Sequence, residues 1–190
     1  TIIGGIMGPI LQSNGLANQE VFNSGAKLVA GQNAAIVTNQ FVDQFITFGG
    51  SGLTLGLVCT MLYFSKSRQY KELGKLSIIP GLFNINEPII FGFPVVFNPI
   101  MAIPFILAPV ISAIMVYVSI ATGIVEPFRA ISVPWTTPFI ISGFLIGGVK
   151  AAILQIAVFS MTVAVYFPFF KYQDKLAYQE EQKIGTEATV

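Results

Sequence analysis

Three long stretches without a charged side chain limit what this chain can fold into. They run from Pro88 to Val125, from Ala130 to Val149 and from Ala151 to Phe170. Each can cross a bilayer, because about 20 apolar residues in a helix span the roughly 30 Å hydrocarbon layer. We therefore predict an all-α polytopic membrane protein with re-entrant helical hairpins and broken helices. Its clean crossings are expected at Asn98 to Val125 and at Ala151 to Phe170.

Composition excludes several classes of function. Of the 190 residues, 54% are apolar and 10% are charged, against about a quarter charged in an average soluble domain. Ten basic and nine acidic residues give a net charge of +1, so no basic face for nucleic acid is expected. The chain has no histidine, and Cys59 lies in an apolar run where a thiol behaves as a small hydrophobe. We predict no metal site and no cofactor.

Proline density indicates broken backbone in two segments. Nine of the 11 prolines lie between Pro80 and Pro138, and proline removes a backbone donor and disrupts a straight helix. Irregular backbone at membrane depth is tolerated only inside protein or beside a water-filled cavity, and it often marks a transport site. We predict an irregular, partly extended stretch over Gly81 to Phe97. We also predict a re-entrant hairpin over Pro127 to Gly148, with its turn near Pro134 to Pro138.

Local patterns in the first third predict two turns, an amphipathic helix and a glycine break. Asn14-Gly15 and Ser24-Gly25 are typical of turns. Apolar residues recur at helical spacing from Asn33 to Phe48, and the polar side of this helix should line a cavity or the membrane surface. That polar side consists of Asn39, Gln40, Asp43 and Gln44. A glycine-rich break, Gly49 to Gly52, makes Ile46 to Phe64 either one crossing or a broken one.

Basic residues indicate the orientation of the chain in the membrane. A polar loop from Lys66 to Lys75 carries four basic side chains, and Lys171 and Lys175 follow the last apolar run. Cytoplasmic loops carry an excess of Lys and Arg, so both regions should be cytoplasmic. We expect residues 1–170 to be the membrane-embedded part and residues 171–190 to be a charged cytoplasmic tail.

Glu87 is the strongest candidate for a functional side chain. It is the only charged residue from Leu76 to Val125. An ionisable residue within such an apolar region is by default a functional hypothesis, and the alternative is a solvated loop end at the membrane surface. Asn84 and Asn86 supply amide donors and acceptors beside it, which suits a polyhydroxyl ligand.

Other polar positions have two interpretations each. Trp135, the only tryptophan, lies between prolines and threonines, where its ring can stack on a sugar with Thr136 supplying a hydroxyl. The alternative is an interfacial anchor. Asn39 and Asp43 share one helix face and can contact a substrate or cap a neighbouring helix. Glu126 and Arg129 are expected to pair at the outer boundary.

At these residues the sequence resembles enzyme IIC, the membrane permease of the bacterial phosphoenolpyruvate-dependent sugar phosphotransferase system, in its lactose/cellobiose (diacetylchitobiose) branch. The resemblance spans nearly the whole chain. It rests on the stretch from Asn84 to Pro94, which begins Asn-Ile-Asn-Glu-Pro, and on Phe97-Asn98-Pro99. Further support comes from Pro134 to Pro138 and from Phe48 to Gly52.

The resemblance implies a homodimeric permease of the bacterial cell membrane with a cytoplasmic C-terminus. Its N-terminal half makes the dimer interface, and this chain corresponds to the C-terminal, sugar-binding half. By the same resemblance Glu87 binds the sugar hydroxyl that becomes phosphorylated, while Asn86 and Trp135 contact the disaccharide. The phosphoryl donor is a phosphocysteine on a cytoplasmic IIB protein, which works with IIA in the same system.

One family feature is absent, and two other kinds of function stay open. The family places a histidine opposite the glutamate, so we expect either a longer protein with that histidine before Thr1 or a substituted relative. An ion-coupled secondary transporter with Glu87 or Asp43 as proton carrier also suits broken helices. A membrane scaffold without a transported substrate is the third possibility.

Overall fold

The computed structural model describes residues 2–93, 95 and 98–187. These residues form seven α-helices and no strand, which confirms the predicted all-α fold class. The helices are α1 (Ile2–Asn23), α2 (Asn39–Phe41), α3 (Leu55–Phe64), α4 (Arg68–Leu82), α5 (Glu87–Gly92), α6 (Pro99–Ala121) and α7 (Ile141–Glu187). A π-helical turn, Val42–Ile46, continues α2, and a 3₁₀ turn, Ser51–Leu53, precedes α3.

Two helices in the described part of the chain are long and apolar enough to cross a membrane. They are α6 and the segment Ile141–Ile184 of α7. They contain most of the predicted crossing at Asn98 to Val125 and all of the one at Ala151 to Phe170. A further candidate is the pair Asn39–Leu53 and Leu55–Phe64, which is bent by 53° at the predicted glycine break.

The chain divides into two compact units. The first unit comprises Thr1–Phe48 and Val110–Val158, and the second comprises Gly49–Pro109 and Phe159–Val190. Each unit is therefore assembled from two separate parts of the sequence. The predicted boundary at Phe170 falls within α7, which continues as a helix to Glu187.

In the first unit, two buried side-chain amides form hydrogen bonds with main-chain groups of non-helical segments. Asn18 donates to the carbonyl oxygens of Ala35 and Phe128 at 2.9 and 2.8 Å and accepts from the Ala35 amide at 2.8 Å. Gln155 makes four hydrogen bonds, donating to Gln44 and Ser142 and accepting from the amides of Ile140 and Gly143. Since an unpaired backbone group in an apolar interior costs several kcal/mol, these side chains allow non-helical segments to be buried.

The second unit packs its helices through small residues and one tyrosine. Tyr166 is fully buried and donates its hydroxyl to the Gly52 carbonyl oxygen at 2.6 Å. Gly52 has φ +79°, and a Cβ there would overlap the ring of Phe105. A Cβ at Gly56 would overlap Thr162 in the same way. The glycines of the break are therefore required both for backbone conformation and for close packing.

Two acids of α7 cap the start of α4 in the second unit. Asp174 is 3% exposed and accepts hydrogen bonds from the Ser65 hydroxyl and from the amides of Lys66 and Ser67. Glu181, two turns further along, accepts from the Ser67 hydroxyl at 2.7 Å and from the first amides of α4. Carboxylates at a helix N-terminus satisfy its free amides and interact favourably with the helix dipole.

The predicted amphipathic helix from Asn33 to Phe48 is wrong in its first part, because helix begins only at Asn39. The Asn33 side chain accepts from the Val29 amide and donates to the Lys27 carbonyl, which holds this segment in a turn. Thr38 then caps α2 by accepting from the Phe41 amide. These local side-chain bonds compete with helix formation.

The predicted turn at Asn14-Gly15 is also wrong, whereas the one at Ser24-Gly25 is confirmed. Helix α1 runs through Asn14, whose side chain donates to the Val37 carbonyl oxygen at 2.9 Å. Gly15 accepts a hydrogen bond from the Ala130 amide, and a Cβ there would press against Gln40. The Asn-Gly pair is thus a packing site. Gly25, with φ +78°, ends α1.

The polar segment from Lys66 to Lys75 is mostly helix, not loop, because α4 begins at Arg68. The stretch from Gly81 to Phe97 is irregular only in part, since α5 interrupts it. Three residues of that stretch, Pro94, Val96 and Phe97, lie outside the described residues. Helix ends at Leu82, and Asn84 adopts a left-handed φ of +66° before α5 starts.

The segment from Pro127 to Gly148 contains a turn at the predicted place, near Pro134 to Pro138. It is non-helical until Ile141, and a turn closes where the Thr137 amide donates to the Pro134 carbonyl oxygen at 2.9 Å. Helix α7 is then kinked at Gly147 and Gly148. Whether the segment re-enters a membrane stays a prediction.

The predicted ion pair between Glu126 and Arg129 is wrong. The Arg129 guanidinium instead lies over the ring of Phe22, 3.9 Å from its centroid. Among the residues that the structure describes, the single ion pair within 4 Å joins Lys75 and Glu72. An arginine over an aromatic face is stabilised by the ring quadrupole.

Candidate functional site

Asn84 and Asn86 of the second unit bind the glycine break. The Oδ1 atom of Asn84 accepts a hydrogen bond from the Gly49 amide at 2.5 Å. The Nδ2 atom of Asn86 donates to the Ser51 carbonyl oxygen at 2.9 Å and to the Thr54 hydroxyl at 3.1 Å. Both side-chain amides, which the sequence analysis proposed as ligand-binding groups, therefore also have a structural role. Within the described chain, no donor contacts Oδ1 of Asn86, which leaves that oxygen free to accept from a ligand.

Glycine is required where the break meets Asn86. Gly50 has φ +89°, and a Cβ there would overlap the Asn86 amide. The close approach brings the carbonyl oxygen of Ser51 to Asn86. The residue that precedes Glu87 is therefore held against the segment from Gly50 to Thr54.

Glu87 is the first residue of α5 and is exposed. It makes no hydrogen bond or ion pair with another described residue. Two buried side chains anchor its short helix, since Ile89 is 0% exposed and Phe93 packs edge-on against Tyr70 at 4.8 Å. The helix thus presents, from a fixed backbone position, a carboxylate that is unpaired within the described part of the chain.

Trp135 and Thr136 belong to the first unit and occupy the turn between Pro134 and Thr137. The Trp135 side chain is 64% exposed, and Thr136 is half-buried. Phe139 stacks on Phe48 with ring centroids 5.6 Å apart, which anchors the segment after the turn. An exposed indole on an anchored turn can stack on a ligand.

A polar cavity of about 330 Å³ lies in the first unit. Its lining consists of Gln12, Leu16, Asn39, Gln40, Asp43, Gln44, Ala130, Ile131, Ser132 and Val133. The predicted polar side of the α2 region does line a cavity, and Asn39 and Asp43 both contribute to it. Sequence reasoning missed Gln12 and Ser132, because they come from α1 and from an extended segment far away in the chain.

The family of this chain follows from comparison with known proteins. Residues 1–109 match the model of the family described as the phosphotransferase system, EIIC. The chain belongs to the EIIC family. This confirms the family that the residues around Glu87 indicated.

Proteins named as IIC components align with almost all of this chain. The chain is 46% identical over 186 residues to the putative permease IIC component YwbA of Bacillus subtilis, covering 97% of this chain and 41% of that protein. It is 48% identical over 185 residues to the cellobiose-specific EIIC component of Geobacillus stearothermophilus, covering 95% and 40%. The chain therefore spans about two fifths of the length of these relatives.

A solved EIIC structure has the same fold. The crystal structure of ChbC, the IIC component of the N,N'-diacetylchitobiose-specific phosphotransferase system, aligns with a TM-score of 0.88 and 43% identity. The alignment covers 95% of this chain and 41% of ChbC. EIIC proteins are integral membrane permeases, in agreement with the apolar helices α6 and α7.

Proposed function

We propose that this chain is the membrane-embedded, sugar-binding part of an EIIC permease for a disaccharide of the cellobiose, chitobiose or lactose type. The observation that carries the proposal is the carboxylate of Glu87, which has no partner among the described residues. It is the single charge between Lys75 and Glu126, and an anchored helix presents it. The sugars in the names of the relatives support the substrate class, because the chain aligns with these relatives over nearly its whole length.

Glu87 is the catalytic residue in this proposal. It accepts a hydrogen bond from the 6-hydroxyl of the bound sugar. The sugar oxygen then bonds to phosphorus, the sulfur–phosphorus bond to the phosphocysteine of a IIB protein breaks, and the proton passes to Glu87. Phosphoryl transfer depends mainly on alignment and electrostatics, so a carboxylate in a fixed position aids the reaction.

The remaining residues bind and orient the disaccharide. Asn86 accepts from a sugar hydroxyl through Oδ1, and Asn84 fixes the backbone before it. Trp135 stacks on the apolar face of a sugar ring, and Thr136 supplies a hydroxyl. Because carbohydrate ligands present many hydroxyls around an apolar ring face, amides and an indole suit them together.

The partners and orientation follow from the family resemblance and from charge. We propose that IIA phosphorylates IIB, that IIB reaches the permease from the cytoplasm, and that the complete permease is a homodimer. Basic residues in α4 and after Phe170 support a cytoplasmic C-terminus.

Sugar uptake into membrane vesicles tests this function. The protein that contains this chain is expressed with its IIA and IIB proteins, and the proton gradient is collapsed with an ionophore. Accumulation of sugar phosphate on addition of phosphoenolpyruvate supports the permease. Uptake that stops with the gradient contradicts it and favours an ion-coupled carrier, for which Asp43 in its polar cavity is the other candidate carboxylate.

A further inference from the structure

The second unit contains another pocket, which is rich in lysine and whose lining does not include Glu87. Its volume is about 340 Å³. Its lining residues are Phe64, Lys66, Lys171, Asp174, Lys175, Tyr178 and Gln179. Three of these seven side chains are lysines, and nothing in the proposed transport reaction uses them.

The positive charge of this pocket is not neutralised by neighbouring acids. The Asp174 carboxylate is already occupied by the Ser65 hydroxyl and by the amides of Lys66 and Ser67. None of the three lysines forms an ion pair within 4 Å with another described residue. Three exposed ammonium groups against one carboxylate, which is buried and hydrogen-bonded, favour an anionic ligand.

The pocket lies where the apolar part of the chain ends. The uncharged run from Ala151 to Phe170 stops directly before Lys171. Exposed aromatic side chains lie in or next in sequence to the pocket lining, since Tyr63 is 80%, Phe64 54% and Tyr172 54% exposed. Exposed aromatic residues beside lysines are typical of the interface between lipid headgroups and hydrocarbon. The pocket thus combines the residue types that favour the headgroup region of a bilayer.

We infer that this pocket binds the headgroup of an anionic phospholipid of the phosphatidylglycerol type. Lys66, Lys171 and Lys175 contact the phosphodiester, while Phe64 and Tyr178 contact the glycerol and the first carbons of the acyl chains. The apolar side chains in the wall favour a lipid over free phosphate, which gains nothing from them. Basic pockets at the cytoplasmic ends of membrane helices are suited to such lipids. The inference does not depend on sugar transport.

Lipid titration followed by native mass spectrometry tests the inference. The full protein in detergent is titrated with phosphatidylglycerol and, separately, with phosphatidylcholine. We expect tighter binding of phosphatidylglycerol, and a decrease of about tenfold or more in that affinity for the triple variant K66Q/K171Q/K175Q. The triple variant K66R/K171R/K175R keeps the charge and should keep the affinity.

A matched control separates this pocket from the general charge of the protein. The variant K71Q/K75Q/K183Q removes the same number of charges from exposed positions in α4 and α7 and should stay within about twofold of wild type. Excess inorganic phosphate should not displace the lipid. The inference is overturned if wild type shows no preference for phosphatidylglycerol or if inorganic phosphate competes. It is also overturned if K66Q/K171Q/K175Q and K71Q/K75Q/K183Q lose the same affinity.

Discussion

Asn86 donates its side-chain amide to the main-chain carbonyl oxygen of Ser51 at 2.9 Å. The same nitrogen also contacts the hydroxyl of Thr54 at 3.1 Å. The residue that precedes Glu87 is therefore bound to the glycine break before α3. These two hydrogen bonds connect the break to the start of α5, where the proposed catalytic carboxylate lies.

Replacing Asn86 by aspartate should destabilise the protein. In Asn86→Asp a carboxylate oxygen replaces the donor and faces the Ser51 carbonyl oxygen, so an attraction becomes a repulsion. A polar group left unsatisfied in this way costs about 1–3 kcal/mol, and the midpoint of thermal unfolding in detergent should fall accordingly. Asn23→Asp is the control, because exposed Asn23 uses only its oxygen, which accepts from Gln19. Equal losses in both variants would contradict the role of Asn86.

Two glycines with positive φ should respond differently to alanine. Gly50 has φ +89° with ψ 176°, a combination that only glycine adopts readily, and Gly31 has φ +73°, so Gly50→Ala and Gly31→Ala both introduce backbone strain of about 1–3 kcal/mol. Only at Gly50 does the added Cβ overlap a neighbour, the Asn86 amide, whereas open space surrounds Gly31. Thermal unfolding should therefore show a clearly larger loss for Gly50→Ala. A smaller loss than for Gly31→Ala would refute the close approach to Asn86.

Features that depend on short stretches of sequence could be predicted. Helices α6 and α7 follow from uncharged runs, because the requirement for spanning a bilayer is local. The break at Gly49 to Gly52 follows from glycine's freedom in φ. The same reasoning failed at Asn14-Gly15. The Gly15 carbonyl oxygen there accepts a hydrogen bond from the amide of Ala130, which lies more than a hundred positions away in the sequence.

Long-range hydrogen bonds could not be predicted. Asn18 reaches Phe128, and Gln155 reaches Gln44, over more than a hundred residues of sequence in each case. Nothing in the local pattern distinguishes these amides from solvated ones. Of the candidate site, Glu87 was identifiable because a charge is rare in that region. The contacts of Asn84 and Asn86 with the glycine break required the structure.

Glu181 should contribute to stability in a pH-dependent way. The Ser67 hydroxyl, and then the amides of Gln69 and Arg68, hold the pKa of this carboxyl below its ordinary value of 4.5. The charged form is thus favoured in the folded protein, and its contribution is present above about pH 4.5 and is lost as pH falls through the lower, folded-state pKa. Thermal unfolding should show Glu181→Gln less stable than wild type at neutral pH, with the difference shrinking in acid.

The neighbouring residue provides a control for this prediction. Glu180 has no hydrogen-bond partner among the described residues, so at neutral pH Glu180→Gln should cost clearly less stability than Glu181→Gln. A difference between wild type and Glu181→Gln that stays constant or grows on acidification would contradict the capping of α4 by this carboxylate.

Trp135→Ala should weaken sugar binding without unfolding the protein. The indole is exposed, so its removal opens no cavity in the core. An aromatic contact contributes about 0.5–1.5 kcal/mol beyond area burial, which corresponds to a roughly two- to twelvefold rise in Kd. Equilibrium binding of radiolabelled cellobiose or chitobiose measures this. An unchanged Kd for the sugar that wild type binds would make Trp135 an interfacial anchor.

The most direct test of the central claim compares binding and phosphorylation in Glu87→Gln. The amide is nearly isosteric with the carboxylate but cannot take up the proton of the sugar hydroxyl. In vesicles supplied with IIA, IIB and phosphoenolpyruvate, formation of sugar phosphate should fall by about a hundredfold or more, the usual range for loss of a general base. Sugar binding, measured on the same preparation, should change by much less. Equal losses of binding and phosphorylation, or full phosphorylation, would contradict the assignment of Glu87 as the base.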